Sequence, residues 1–404
     1  MYLFHIFRSL IPLRNPLGFG ASDLLTCGIV LLGLLAIVGH AWLADIFQTL
    51  SRRALWCMLG LFLLPIALRL ALLPRVPAPV STTAQESSSL LLADTLRHGR
   101  LSNPAHPLPQ FFDSPLVVQA PSYRSILPLG DGLLPAAGWT GILLGIGALS
   151  ALSYWMLRPW LAPEWAFCGG LLVACAFGPL CYWTNSYWGG FISALAGCLI
   201  LGAWPRLRRA PRNFMLLIAG VTLELLSRPS WFVLTLPLLI LAATFCLNRL
   251  KQFRPALLFA VLLICGFHFA FWYGMRAFAD SSAWNAVRPY SGQDLLDSAA
   301  AQTRRALLAE IARQPGPQLV FVRSGPWRSS VEWIQNSADI HASKIIWAHD
   351  LGVDANRTLL DYYRGRTAWL LEPDAIPPRF RPYPAPPPSP SSPSQSNSPF
   401  QNVP

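Results

Sequence analysis

Apolar and polar positions along this chain fall in long blocks rather than in the short periods of a soluble domain. Up to residue 275 apolar runs alternate with brief polar stretches, and beyond it the pattern changes. A helix rises about 1.5 Å per residue, so about 20 apolar residues cross about 30 Å of hydrocarbon. On that criterion spans are predicted at Leu24–Leu43, Ala54–Pro74, Gly138–Leu157, Trp165–Trp183, Trp188–Trp204, Phe214–Leu226, Trp231–Leu247 and Pro255–Met275. Residues 214–247 also fit one long helix broken at Pro229. The basic flanks decide between the two, because Arg206-Leu207-Arg208-Arg209 precedes the stretch and Arg249-Leu250-Lys251-Gln252-Phe253-Arg254 follows it. Positive charge marks cytoplasmic loops, so the chain is expected to cross twice between these flanks.

Two regions lie outside the runs. The loop 75–137 is longer than a connector requires, and Ser87–His98 within it has helical spacing of Leu90, Leu91, Ala93 and Leu96. The C-terminal part predicts a helix at Gln293–Arg313, strands at Gln318–Arg323 and Lys344–Ala348, a helix at Asp354–Arg364 and a strand at Thr367–Leu371. The pattern divides the chain into an interfacial N-terminal segment 1–23, a transmembrane domain 24–275, a small α/β domain 276–376 and a disordered Pro/Ser-rich tail 377–404. The expected fold class is an all-α polytopic membrane protein of about eight transmembrane helices with a small C-terminal α/β extracytoplasmic domain.

Composition agrees with burial in lipid. The 404 residues are 53% hydrophobic and 12% charged, with mean hydropathy +0.41; soluble domains carry about 25% charged residues. The net charge of +12 does not predict a nucleic-acid partner, because the arginines gather at the ends of apolar runs, where they set orientation. Counting from those ends places Ser51–Arg53 and Arg158–Glu164 in the cytoplasm. The loop 75–137, the Thr184–Tyr187 turn, Arg228 and everything after Met275 come out on the far side. No cleaved signal peptide is expected. All eight cysteines lie in apolar runs and form no CxxC pair, which argues against a zinc site and a disulfide framework. His341, His349, Asp339 and Asp350 lack ligand spacing, so no cofactor is predicted and a divalent metal is not supported.

Ionisable residues close to the spans carry the candidate chemistry. Glu224 and Arg228 stand four apart on a helix, where they form either an internal ion pair or, through Arg228, a phosphate clamp. The two roles are compatible. In Thr184-Asn185-Ser186-Tyr187-Trp188-Gly189-Gly190, the aromatics Tyr187 and Trp188 serve either as interfacial anchors or as the wall of a sugar pocket, with Asn185 beside them. The loop carries Glu86, Asp94, Asp113 and Asp131 with His98 and His106.

This arrangement resembles the GT-C glycosyltransferases, in particular the bacterial branch similar to protein mannosyltransferases and Rgt-type lipopolysaccharide glycosyltransferases. The segments carrying the resemblance are residues 88–104, Tyr182–Gly190 and Ser227-Arg228-Pro229, with 338–374 similar to uncharacterised members. The resemblance implies transfer of a sugar from a polyprenyl-phosphate-linked donor to a cell-envelope acceptor, in contact with membrane lipid, by a multi-pass protein of the bacterial inner membrane. It implies Glu86 as base with Asp94 as a second carboxylate. It further implies Arg228 on the donor phosphate, and Tyr187, Trp188, Asn185 and Glu224 around the substrate. Relatives carry an Asp-Glu pair where this chain has Gln85-Glu86, and an acid after the Arg-Pro pair where it has Ser230-Trp231-Phe232. A catalytically degenerate protein that binds lipid-linked sugar or a partner is therefore the alternative, and a transporter a more distant one.

Overall fold

The computed structural model describes residues 53–208, 210–227, 231–278, 299–325, 331–375 and 378–383, with scattered positions before 53. The interfacial segment 1–23, nearly all of the predicted span Leu24–Leu43, Arg228, and residues after 383 lie outside the described residues.

The apolar part folds as a layer of helices: α1 (Ala54–Ala71), α4 (Gly138–Leu157), α5 (Pro163–Ala176), α6 (Ile192–Ala203), α7 (Arg212–Leu226), α8 (Trp231–Phe253) and α9 (Pro255–Phe278). Close approach of α1 to α4 relies on Gly147, where a Cβ would sit 2.6 Å from the Phe62 carbonyl. Small residues let helices pack at this range without a hydrophobic driving force. Ser150 and Ser153 return their hydroxyls to the carbonyls of Ile146 (3.0 Å) and Leu149 (2.7 Å), which hides both inside α4.

The expectation of about eight spans in an all-α polytopic fold is overturned. Among the described residues three helical stretches are long and apolar enough to cross a membrane: Ala54–Ala71, Gly130–Leu157 and Leu257–Phe278. Helices α5, α6 and α7 have 14, 12 and 15 residues, which at about 1.5 Å each falls well short of about 30 Å. Hydropathy counted the apolar residues of their connections as helix. The predicted Trp165–Trp183 span stops at Ala176 because Gly178-Pro179 follows, and proline disfavours helical geometry in the residue before it. Trp204-Pro205 likewise turns the chain out of α6 into a 3-10 turn.

Two β-sheets are present as well: one in the C-terminal unit, where strands were predicted, and one in the 75–137 loop, where none was. In the 75–137 loop, α2 (Ala84–Arg97) leads into β1 (Asn103–Pro104), β2 (Val117–Val118) and β3 (Ser122–Ser125), an antiparallel sheet ordered β1-β3-β2. A one-turn helix α3 (Gly130–Leu133) returns the chain to α4. The C-terminal unit comprises α10 (Ala299–Arg313), β4 (Gln318–Val322), β5 (Ile345–His349), α11 (Val353–Tyr362), β6 (Thr367–Glu372) and β7 (Arg379–Pro382). Its sheet runs β5-β4-β6-β7, with β4 parallel to β5 and β6, and β7 antiparallel. Strand β7 lies in residues expected to be disordered; it closes the open edge of β6.

The loop and the C-terminal unit share one core. Leu91 of α2 with Phe111, Phe112 and Tyr123 packs against Leu319, Phe321, Ile346 and Leu370 of the sheet. A polar joint pins the contact. The Leu108 amide donates to His106 Nδ1 at 3.0 Å, so the ring proton sits on Nε2 and is donated to the Tyr363 hydroxyl at 2.9 Å. That hydroxyl in turn meets His341 Nδ1 at 2.9 Å.

Burial, and then the neighbouring His341, lower the His106 pKa to about 4. The unfolded chain takes up the same proton near the ordinary value of about 6.5. Stability contributed by this joint is therefore complete above about 6.5 and falls as pH drops towards about 4, where the unfolded state binds the extra proton. The unfolding temperature of the purified protein should decline across that window, and His106→Gln should flatten the decline. An unchanged slope in the variant would assign the effect elsewhere.

Candidate functional site

The site grows from the C-terminal turn of α1. Arg69 is fully buried there, and its guanidinium uses all three nitrogens. Nε donates to Asn185 Oδ1 (2.7 Å), Nη1 to the Val76 carbonyl (2.9 Å) and Nη2 to the Pro77 carbonyl (3.0 Å), while the group lies 4.7 Å from the Trp139 ring centre. Asn185 gives its amide to the carbonyls of Pro179 (2.9 Å) and Cys181 (2.8 Å), which leaves its oxygen for the arginine. One cation thereby orders the exit from α1, the start of α4 and the whole 177–191 connection.

Two further arginines lie on the same side of the molecule, Arg276 at the end of α9 and Arg305 on α10. Arg305 also donates to the Ala78 carbonyl at 3.4 Å. Helices α5 and α9 leave an apolar groove of about 440 Å³, lined by Leu172, Cys175, Leu180, Cys265, Phe269 and Trp272 among others. Leu180, Trp272 and Met275 pack on Leu72 and Val76, so the groove opens beside the residues that hold Arg69. The Trp272 Nε1–H is buried there without a partner among the described residues.

Glu86, expected as a base, is 2% exposed and committed at both oxygens. Oε2 accepts from the Thr82 and Thr83 amides (3.0 and 3.2 Å) and from the Thr83 hydroxyl (3.1 Å), forming a capping box at the start of α2. Oε1 accepts from the Tyr187 amide at 3.2 Å. The carboxylate therefore ties α2 to the aromatic turn. Burial first, and then the Glu86 charge, raise the Tyr187 phenol. Behind Glu86 the buried Arg304 is lowered to about 10 by desolvation, against the opposing pull of Glu332 and Glu86.

Asp94 sits elsewhere. Its Oδ2 accepts from the Ala338 amide (2.8 Å) and Oδ1 lies 3.9 Å from His98, so it fastens α2 to the C-terminal unit. Trp188 packs on Trp183 at 4.9 Å between ring centres. Gly189 is needed for close approach of protein backbone: a Cβ there would stand 2.1 Å from the Asp131 carbonyl. Glu224 accepts from Ser193 at 3.0 Å through Oε1, while its buried Oε2 has no partner among the described residues. The structure thus brings Glu86, Tyr187 and Asn185 together, and holds Asp94 and Glu224 in other contacts. It adds Arg69, which hydropathy absorbed into the end of a span, together with Arg276 just past the last predicted span and Arg305 in the predicted C-terminal helix; a lone arginine inside an apolar run was the available signal for Arg69. Among the described residues no cluster of three or more His, Cys, Asp or Glu side chains is placed to hold a metal.

Glu86→Gln should destabilise the protein by about 1–3 kcal/mol, because charge-assisted bonds from four partly buried amide and hydroxyl donors are weakened. Asp94→Asn, which affects one amide bond, should cost about 1 kcal/mol. Chemical unfolding followed by tryptophan fluorescence measures both, and equal stability of Glu86→Gln and the parent would remove the strut.

No protein family, curated protein or solved structure matches the chain.

Proposed function

We propose that this is a membrane-embedded protein that binds a polyprenyl-phosphate-linked sugar, related in design to the GT-C glycosyltransferases. The observation that carries the reading is the apolar groove between α5 and α9, whose wall residues Leu180 and Trp272 pack with Leu72 and Val76 next to the buried Arg69. An isoprenoid chain suits the groove, and the positive charge of Arg276 and Arg305 near its Arg69 end suits a phosphate. Trp272 supplies a further donor at the groove wall. In this reading the protein resides in a bacterial plasma membrane, and the 75–137 loop and C-terminal unit face the extracytoplasmic side. The basic residues at the opposite ends of the helices, Arg158, Arg206 and Arg249, support that orientation.

Binding without turnover is favoured because Glu86 and Asp94 are both occupied by backbone amides. One observation supports sugar transfer as a second reading, namely the buried Oε2 of Glu224, which has no partner among the described residues. Transfer by that group would move the acceptor hydroxyl proton to Glu224 as the sugar–phosphate bond breaks, with polyprenyl phosphate leaving.

Purified protein in nanodiscs should bind a polyprenyl-phosphate hexose, and Arg276→Gln with Arg305→Gln should weaken it at least about tenfold. Equal affinity for the free polyprenol would sink the proposal. Appearance of a glycosylated acceptor, lost in Glu224→Gln, would select transfer over binding alone.

A further inference from the structure

A second cavity, of about 360 Å³, lies between the loop and the C-terminal sheet, away from the groove. Its floor is formed where β4 and β5 end, at Val322, Ser324 and His349. Ligands of open parallel sheets bind at the carboxyl ends of the strands, outside the sheet edge. Asp113 and Ser114 of the loop and the segment Val331–Ile334 complete the walls.

Two buried donors on these walls are left open. Ser114 is 7% exposed and Trp333 5% exposed, and neither Ser114 Oγ nor Trp333 Nε1 has a hydrogen-bond partner among the described residues. Native proteins satisfy nearly all such groups, so two on one cavity call for an occupant. The volume equals that of roughly a dozen waters at about 30 Å³ each, enough for one pyranose ring.

Lining chemistry narrows the class. Among the described residues the lining holds no lysine or arginine but does hold Asp113 and Glu332, which disfavours phosphates and other anions. His349 donates Nε2–H to the Asp113 carbonyl at 2.6 Å, so its Nδ1 is an acceptor when the ring is neutral. The face of Trp333 is covered by the Arg304 guanidinium at 5.2 Å, which leaves the indole N–H as its recognition element. Hydroxyl donors, an indole N–H, an imidazole acceptor and two carboxylates match a ligand rich in hydroxyls and free of charge.

We propose that this cavity is a binding site for a neutral saccharide unit, with Ser114 and Trp333 donating to ring or hydroxyl oxygens and Asp113 accepting from sugar hydroxyls. The proposal does not rest on the lipid-phosphate reading, since it involves neither the groove nor the arginines near it.

The test is saturation-transfer NMR on the full chain in nanodiscs, free of glycoside detergent, with the methyl glycosides of glucose, galactose, mannose and N-acetylglucosamine, and with glucose 6-phosphate as the charged probe. At least one neutral glycoside should bind with a dissociation constant of about 1 mM or tighter, and the phosphate ester more weakly. Trp333→Phe keeps the ring and removes one hydrogen bond, so affinity should drop about fivefold. Ala84→Leu, which places a larger side chain on the cavity wall, should abolish binding while leaving polyprenyl-phosphate binding intact. No transfer from any of the four glycosides, or undiminished transfer in Ala84→Leu, would overturn the site, whether or not the lipid assay succeeds.

Discussion

A buried guanidinium is costly to desolvate, and it persists only where hydrogen bonds surround it. Arg69 meets that condition with an asparagine oxygen, two carbonyls and an indole face. These partners lie on three different stretches of chain: the exit from α1, the 177–191 connection and the first turn of α4. Satisfying this one charge therefore fixes where three segments leave the helical layer. The groove mouth, the aromatic turn and the root of the loop inherit their positions from it.

The carboxylates extend the same logic outward. Glu86 couples the cap of α2 to the aromatic turn, and Asp94 couples the far half of α2 to the C-terminal unit. Helix α2 thus acts as a strut between the helical layer and the sheet, with a charged fastening near each end. The Glu332 amide bond to the Thr82 carbonyl, at 2.9 Å, adds a backbone link at the same junction. Residues that resemble catalytic acids in sequence are here the means by which the parts are assembled.

Legibility in the sequence followed the strength of local signals. The α/β alternation of the C-terminal unit was readable because Leu319, Val320 and Phe321, and later Ile346, Trp347 and Ala348, are short apolar runs flanked by polar residues. The strand Arg379–Pro382 was hidden by its prolines and arginines, and it exists because β6 offers an edge to pair with. Span counting failed for a related reason: hydropathy sums side chains and ignores Gly178-Pro179 and Trp204-Pro205, which end helices inside apolar sequence. The small sheet around Tyr123 depends on pairing across the loop and left no periodic trace. Arg69 was visible as a letter, yet its partners Val76, Pro77 and Asn185 are backbone and turn groups that only the fold assembles.

The central proposal is that the groove between α5 and α9 holds a lipid chain with its phosphate towards the Arg69 end. Exposed apolar residues elsewhere, such as Leu55, Trp56 and Leu59 on α1, offer a lipid surface without that charge. Photo-crosslinking with a diazirine-bearing polyprenyl phosphate, mapped by peptide mass spectrometry, separates the two. The account predicts adducts concentrated in residues 172–180 and 264–272 and competed by unlabelled polyprenyl phosphate. Adducts spread over the exposed face of α1 and the other helices, indifferent to competitor, would contradict it.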